Sequence, residues 1–188
     1  MTTTFDSFEA LETTALACRA CGLCESRTQV VFGVGDPHAD LMFVGEGPGA
    51  EEDRQGIPFV GRAGQLLTRL IGDVGLTREQ VYIANVVKCR PPNNRDPSPV
   101  EIETCSPFLE AQLSFIEPRV VVTLGNFATK LLMPTTQGIT KMRGRTYPWR
   151  HGATLVPTLH PAAVLRGGGK ALAQGRADFV LVKRALAT

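Results

Sequence analysis

Short apolar runs that alternate with helix signals leave this chain few ways to fold. Asp40 to Gly45 (DLMFVG) runs apolar into glycines, the pattern of a buried strand entering a loop. Leu66, Leu67, Leu70 and Ile71 form one stripe over Ala63 to Val74, and Gly75 offers a stop, which predicts a helix. Val81 to Val87 reads as the second strand. Ser98-Pro-Val-Glu101 is a capping box with proline at the first helical position, so a helix should open there and run toward Glu117. The β-branched run Arg119 to Leu124 gives a third strand, a helix to about Leu132 follows Gly125, and Thr154 to Thr158 gives the fourth. A last helix covers roughly Ala171 to Leu186. At the other end, Phe5, Phe8, Leu11 and Leu16 stand near helical spacing within Phe5 to Ala17. Such alternation predicts an α/β fold with a parallel sheet covered on both faces.

No repeat, low-complexity tract or long linker divides the sequence, so a single domain over residues 1–188 is expected. That length buries a core without covalent staples. No run of about 18 apolar residues occurs, and the N-terminus lacks a basic region followed by an apolar one. A soluble, cytosolic protein with no membrane contact is the expectation. The formal charge of +2 excludes a polycation, so any nucleic-acid contact has to come from local basic patches.

In a parallel sheet of this kind, ligands bind beyond the carboxyl ends of the strands. That rule selects GEGPG after the first strand, Asn85 in the second, Gly125 after the third and His160 after the fourth. GEGPGA, residues 45–50, matches a dinucleotide fingerprint in letters only. Pro48 and Gly49 stand where its helix should open, the next helix signal comes over a dozen residues later, and the second strand lacks a ribose-binding acid. A solvated turn, or a loop close to a ligand with Glu46 orienting water, remain as readings.

Phe59, between Pro58 and Val60, is either core or a stacking platform for a planar base. Asn85, inside VYIANVV, needs partners if buried, and its amide serves structural bonding and base readout equally well. His160 opens HPAAVLR, where an imidazole can donate to a developing oxyanion. Val164 and Leu165, on the loop that Pro161 stiffens, suit an apolar wedge between bases. Arg90, Arg95, Arg143, Arg145, Arg166 and Lys170 gather on these loops and are placed to grip phosphates.

Three of the five cysteines fall in CRACGLC, residues 18–24, and the others are Cys89 and Cys105. A tetrathiolate site needs four. Close spacing in a reducing compartment favours metal over disulfide, and the pattern suits structural zinc and an iron-sulfur cluster alike. Cys18, Cys21, Cys89 and Cys105 form one possible set; using Cys24 as a third ligand leaves Cys89 or Cys105 spare.

The runs CRACGLCESRTQVVFG, LMFVGEGPGAEEDRQGIPFVGRAGQLL, VYIANVVKCRPPNNRDP and HPAAVLR closely resemble the family 4 uracil-DNA glycosylases, the iron-sulfur branch of their superfamily. The resemblance spans about residues 16–184. It implies a three-layer αβα fold around a four-stranded parallel sheet, and a 4Fe–4S cluster on Cys18, Cys21, Cys89 and Cys105. It further implies excision of uracil from single- and double-stranded DNA in base excision repair. The products are free uracil and an abasic site.

By the same resemblance, Gly45 and Gly47 belong to the first motif, and Glu46 is associated with the hydrolytic water. Phe59 stacks on uracil and Asn85 reads its edge. Glu52 crowds C5 against a thymine methyl, and Asn94 assists at the water. His160 is the second-motif histidine, while Val164, Leu165, Arg166 and Arg143 are expected at DNA. A related branch, covalently trapped on DNA, carries a basic, histidine-containing insertion where this chain reads KCRPPNNRDP, so ordinary turnover is expected. A monomer, associated with the nucleoid when on DNA, completes the expectation.

Overall fold

The computed structural model describes residues 5–188; residues 1–4, part of the expected domain, lie outside the description. α1 (Phe8–Leu16) begins behind Ser7, whose hydroxyl accepts the Ala10 N–H at 3.1 Å. The helix is shorter than its predicted span. It buries Leu11 and Ala15 and leaves Leu16 exposed, so its apolar stripe is narrower than the spacing suggested. The remaining elements are β1 (Val34–Gly35), β2 (Leu41–Gly45), α2 (Ala50–Gln55), α3 (Arg62–Asp73), β3 (Tyr82–Asn85), α4 (Pro99–Ile116), β4 (Val120–Leu124), α5 (Asn126–Leu132), α6 (Ile139–Met142), β5 (Tyr147–Pro148), β6 (Thr154–Thr158) and α7 (Pro161–Leu186).

The sheet order is β1-β3-β2-β4-β6-β5. Its centre, β3-β2-β4-β6, is parallel, as the four predicted strands require. Two-residue strands, β1 and β5, add antiparallel edges that extend the expected four strands to six. Every residue of β2 and β4 is buried, because helices cover both faces. Side chains alternate between two cores. Met42, Val44 and Ala84 meet Leu11 and Leu109 on one face. Phe43, Ile83 and Val122 meet Leu67, Leu70 and Phe179 on the other. Phe43 stacks on Phe179 with ring centroids 5.7 Å apart. Each such fully buried side chain contributes about 1.5–3 kcal/mol.

Two expectations fail here, both beside the strand ends. GEGPG does run directly into a helix, α2, with Gly49 at its N-cap. Its residues AEEDRQ carry no apolar stripe; Glu51, Glu52 and Asp53 instead sit in the first turn, where negative charge suits the helix dipole. The stretch after His160 is also helical. Pro161 opens α7 with His160 as N-cap, and the helix breaks at Gly168 (φ 64°, ψ −152°) before continuing. The capping box at Ser98 and Glu101 forms as predicted, with Arg95 added to Glu101 at 2.7 and 2.9 Å.

Candidate active site

The carboxyl ends of the parallel strands open into a cleft of about 540 Å³. Gly45 and Asn85 are register partners at the end of β2 and β3. A side chain on Gly45 would collide with the Asn85 carboxamide and the Phe59 ring, so only glycine lets these two groups form the floor. Gly47 is likewise closed to a side chain, by Val87. Asn85 is 1% exposed, and its Oδ1 has no hydrogen-bond partner among the described residues. A buried unmet acceptor costs about 1–3 kcal/mol, so it marks a place where a ligand N–H belongs.

Phe59 holds its ring over this floor from a left-handed backbone, φ 54°, which costs a non-glycine residue roughly 1–2 kcal/mol. The loop is clamped from both sides. Arg78 donates to the carbonyls of Phe59 at 3.0 Å and Pro58 at 2.7 Å. Glu52 Oε1 accepts the N–H groups of Val60 and Gly61, each at 2.9 Å. Gly64 lets α3 pass against the Phe59 carbonyl. The Glu52 carboxylate therefore shapes the cleft wall and the Phe59 loop together.

The Phe59 ring lies 5.7 Å from that of His160. His160 Nδ1 accepts the Ala162 N–H at 3.2 Å, which assigns the ring proton of the neutral form to Nε2. Burial, and then the charge of Arg166, hold the imidazole down to about pKa 4, with Glu52 opposing. Between imidazolium and imidazole as the donor, the structure selects the neutral ring. Glu46, half-buried on the same cleft, is raised by burial and then by Asp96. Asn94 lines the cleft from a left-handed position, with Oδ1 accepting Arg90 Nε at 2.7 Å. Arg166 is exposed at the mouth.

Two residues expected at DNA are placed inside the fold. Val164 is 3% exposed and packs in the core with α3, because its position on α7 points inward. Leu165, next to it, is 39% exposed. Arg143 is taken by the buried Asp178 at 2.7 and 3.0 Å and by the Gln174 carbonyl at 2.7 Å, so its guanidinium is committed inside the fold. Arg78 was missed: nothing in the sequence says that the arginine of LTREQ reaches back to Pro58.

On the far side of β3, Cys18, Cys21, Cys24, Cys89 and Cys105 line one apolar cavity with Ala15, Leu23 and Phe108. No carboxylate or imidazole shares it. Arg27 Nη1 donates to Cys89 Sγ and the Lys88 N–H to Cys105 Sγ, both at 3.2 Å. Burial pushes the Cys89 thiol up and Cys105 to about 11, while Arg27 and Lys88 respectively favour the thiolates. Cys18 and Cys21 are near enough to raise Cys89 by their charge, and Cys21 also raises Cys105. Among the described residues no three His, Cys, Asp or Glu side chains are grouped tightly enough for one ion. An all-sulfur donor set in an apolar wall, with N–H groups aimed at sulfur, fits an iron-sulfur cluster, which takes one thiolate per iron.

An αβα sheet with a cleft at its strand ends defines a class: residues 32–186 match the family model for the uracil DNA glycosylase superfamily. The chain is 48% identical over 168 residues to the type-4 uracil-DNA glycosylase of Sulfurisphaera tokodaii, covering 85% of this chain and 76% of that protein. It is 51% identical over 150 residues to the type-4 enzyme of Thermotoga maritima, covering 79% and 78%. With the type-5 enzyme of Thermus thermophilus, identity is 33% over 177 residues, covering 77% and 78%. The chain belongs to the type-4 uracil-DNA glycosylase family.

Proposed function

We propose that this protein is a monofunctional uracil-DNA glycosylase that flips the nucleotide out of single- or double-stranded DNA and hydrolyses its N-glycosidic bond. The observation that carries the reading is the unpartnered, buried Oδ1 of Asn85 beneath the Phe59 ring. Uracil offers an N–H at N3 and an acceptor at O4, which a carboxamide meets with one acceptor and one donor. Cytosine offers the reverse and leaves buried groups unpaired. Glu52, tethered by Val60 and Gly61, stands as the wall that a thymine methyl would meet.

As the C1′–N1 bond breaks, its electron pair passes to uracil and charge develops on O2. The Nε2–H of a neutral His160 donates there without giving up its proton. Water adds to C1′ from the side of Glu46, whose carboxylate orients it and offsets positive charge on the sugar, with Asn94 beside it. The leaving uracil is protonated at nitrogen and the abasic site keeps the water oxygen. Leu165 fills the gap in the base stack, and Arg166 meets phosphate at the mouth.

Cys18, Cys21, Cys89 and Cys105 would hold a 4Fe–4S cluster, which would cross-link the N-terminal segment, the segment after β3 and α4. No helix is long and apolar enough to cross a membrane among the described residues. The protein acts as a monomer in the cytoplasm, on the nucleoid when bound to DNA. An oligonucleotide with one uracil, incubated with pure protein and then with alkali, should be cut at that position; an intact strand across a range of salt would overturn the reading.

A further inference from the structure

We propose that Lys88 is a positioning residue for base recognition: its buried ammonium fixes the main chain at Asn85 and so sets the angle at which the carboxamide meets the base. The proposal rests on the reading of Asn85 given above. Lys88 is 2% exposed. Its Nζ donates to the Asn85 carbonyl at 2.9 Å and to Gln112 Oε1 at 2.5 Å, with the Phe32 ring centroid 6.0 Å away. Gln112, fully buried in α4, is held in turn: its Nε2 donates to the Phe32 carbonyl at 3.0 Å and the Tyr82 hydroxyl at 3.1 Å.

No carboxylate pairs with this ammonium among the described residues. The charge that favours this ammonium is that of the Cys105 sulfur, yet its Nζ hydrogen bonds go to Asn85 and Gln112, and an apolar side chain of similar length would fill the space without burying an ammonium. Besides its charge toward the Cys105 sulfur, the ammonium supplies a charge-assisted bond to the carbonyl of the base-reading residue. That bond acts at Asn85, the last residue of β3 in register with β2, while the chain just beyond it stays bonded through the Val86 and Val87 N–H groups to the Gly45 and Glu46 carbonyls. A small rotation of the backbone there swings the carboxamide across the cleft floor, and a misplacement near 1 Å costs on the order of a hundredfold in a positioned reaction. Gln112 and the Phe32 ring keep the ammonium from following such a rotation. The Lys88 main-chain N–H is spent on Cys105 Sγ, so one residue ties the base reader to the thiol site.

The test is a double-mutant cycle of Lys88→Met and Asn85→Ala. The probe is an oligonucleotide carrying 2′-fluoro-arabinouridine, which binds without being cut, and affinity is read by fluorescence anisotropy relative to the same strand carrying thymidine. Lys88→Met should lower this uracil-specific affinity about tenfold, roughly 1.4 kcal/mol. In the Asn85→Ala background the same change should cost less than about twofold. An equal loss in both backgrounds, or no loss in either, overturns the proposal. If Lys88→Met does not fold or loses its visible absorption, Gln112→Leu, which removes the second acceptor of Nζ and leaves Lys88 in place, must show the same dependence on Asn85; additivity there overturns it too. A wild type that excises no uracil defeats the functional reading instead, so the two failures are distinct.

Discussion

At the strand ends, Asn85 Oδ1 is buried with nothing to accept, whereas across β3 the sulfurs of Cys89 and Cys105 each already receive an N–H. The cleft keeps hydrogen-bonding capacity open and holds its aromatic wall in a strained turn. The thiol cavity is mostly apolar, and Cys89 and Cys105 in it already receive hydrogen bonds from the chain. A surface that exchanges a ligand at every turnover must be complete only when the ligand is present. A site for a resident group can be completed by the chain around it. Lys88 stands between the two and bonds to both.

Mutations that separate the regions sharpen this contrast. The largest effect is expected from His160→Ala: removing one donor from a developing oxyanion costs about 10²- to 10³-fold in kcat, read by single-turnover excision, and the visible absorption should not change. An equal loss of colour would mean the regions are not separable.

Next is pH. Because His160 is held down to about 4 in the fold against an unfolded value near 6.5, the unfolded chain binds the proton first. Its contribution is therefore complete above pH 6.5 and lost as pH falls toward 4, up to about 3 kcal/mol by the size of the shift. Thermal melts of wild type and His160→Asn should diverge less at pH 4 than at pH 7.

Arg78→Met releases two carbonyls of the strained loop, and a loss near tenfold in kcat/KM is expected, absent when Phe59 is already alanine. At the thiol site, Cys21→Ala should bleach the protein and lower its melting temperature. Cys24→Ala should do neither, and if it bleaches the protein the ligand set is wrong.

The central strands were legible because helices cover both their faces, which makes most of their residues apolar in short continuous runs. β1 and β5 were not, since two residues carry no period. α2 escaped because charge near its dipole, rather than an apolar face, favours it, and the first turns of α7 were hidden by Gly167, Gly168 and Gly169. Glu46, Asn85 and His160 were singled out because strand ends in a parallel sheet collect ligands, and Phe59 because of its setting between Pro58 and Val60; the structure brings all four to one cleft. Val164 and Arg143 were misread because the inward turn of one and the Asp178 that holds the other depend on contacts made by α7. Arg78 and Lys88 act through side chains that reach other backbones, which spacing cannot reveal.

Free uracil titrated against wild type and Asn85→Ala, with binding read by calorimetry, tests the base-reading role directly. Weakening of about ten- to hundredfold in the variant, with absorption and melting temperature near wild type, is the expected result. Equal affinity in the two proteins would show that the unpartnered Oδ1 of Asn85 does not receive the base.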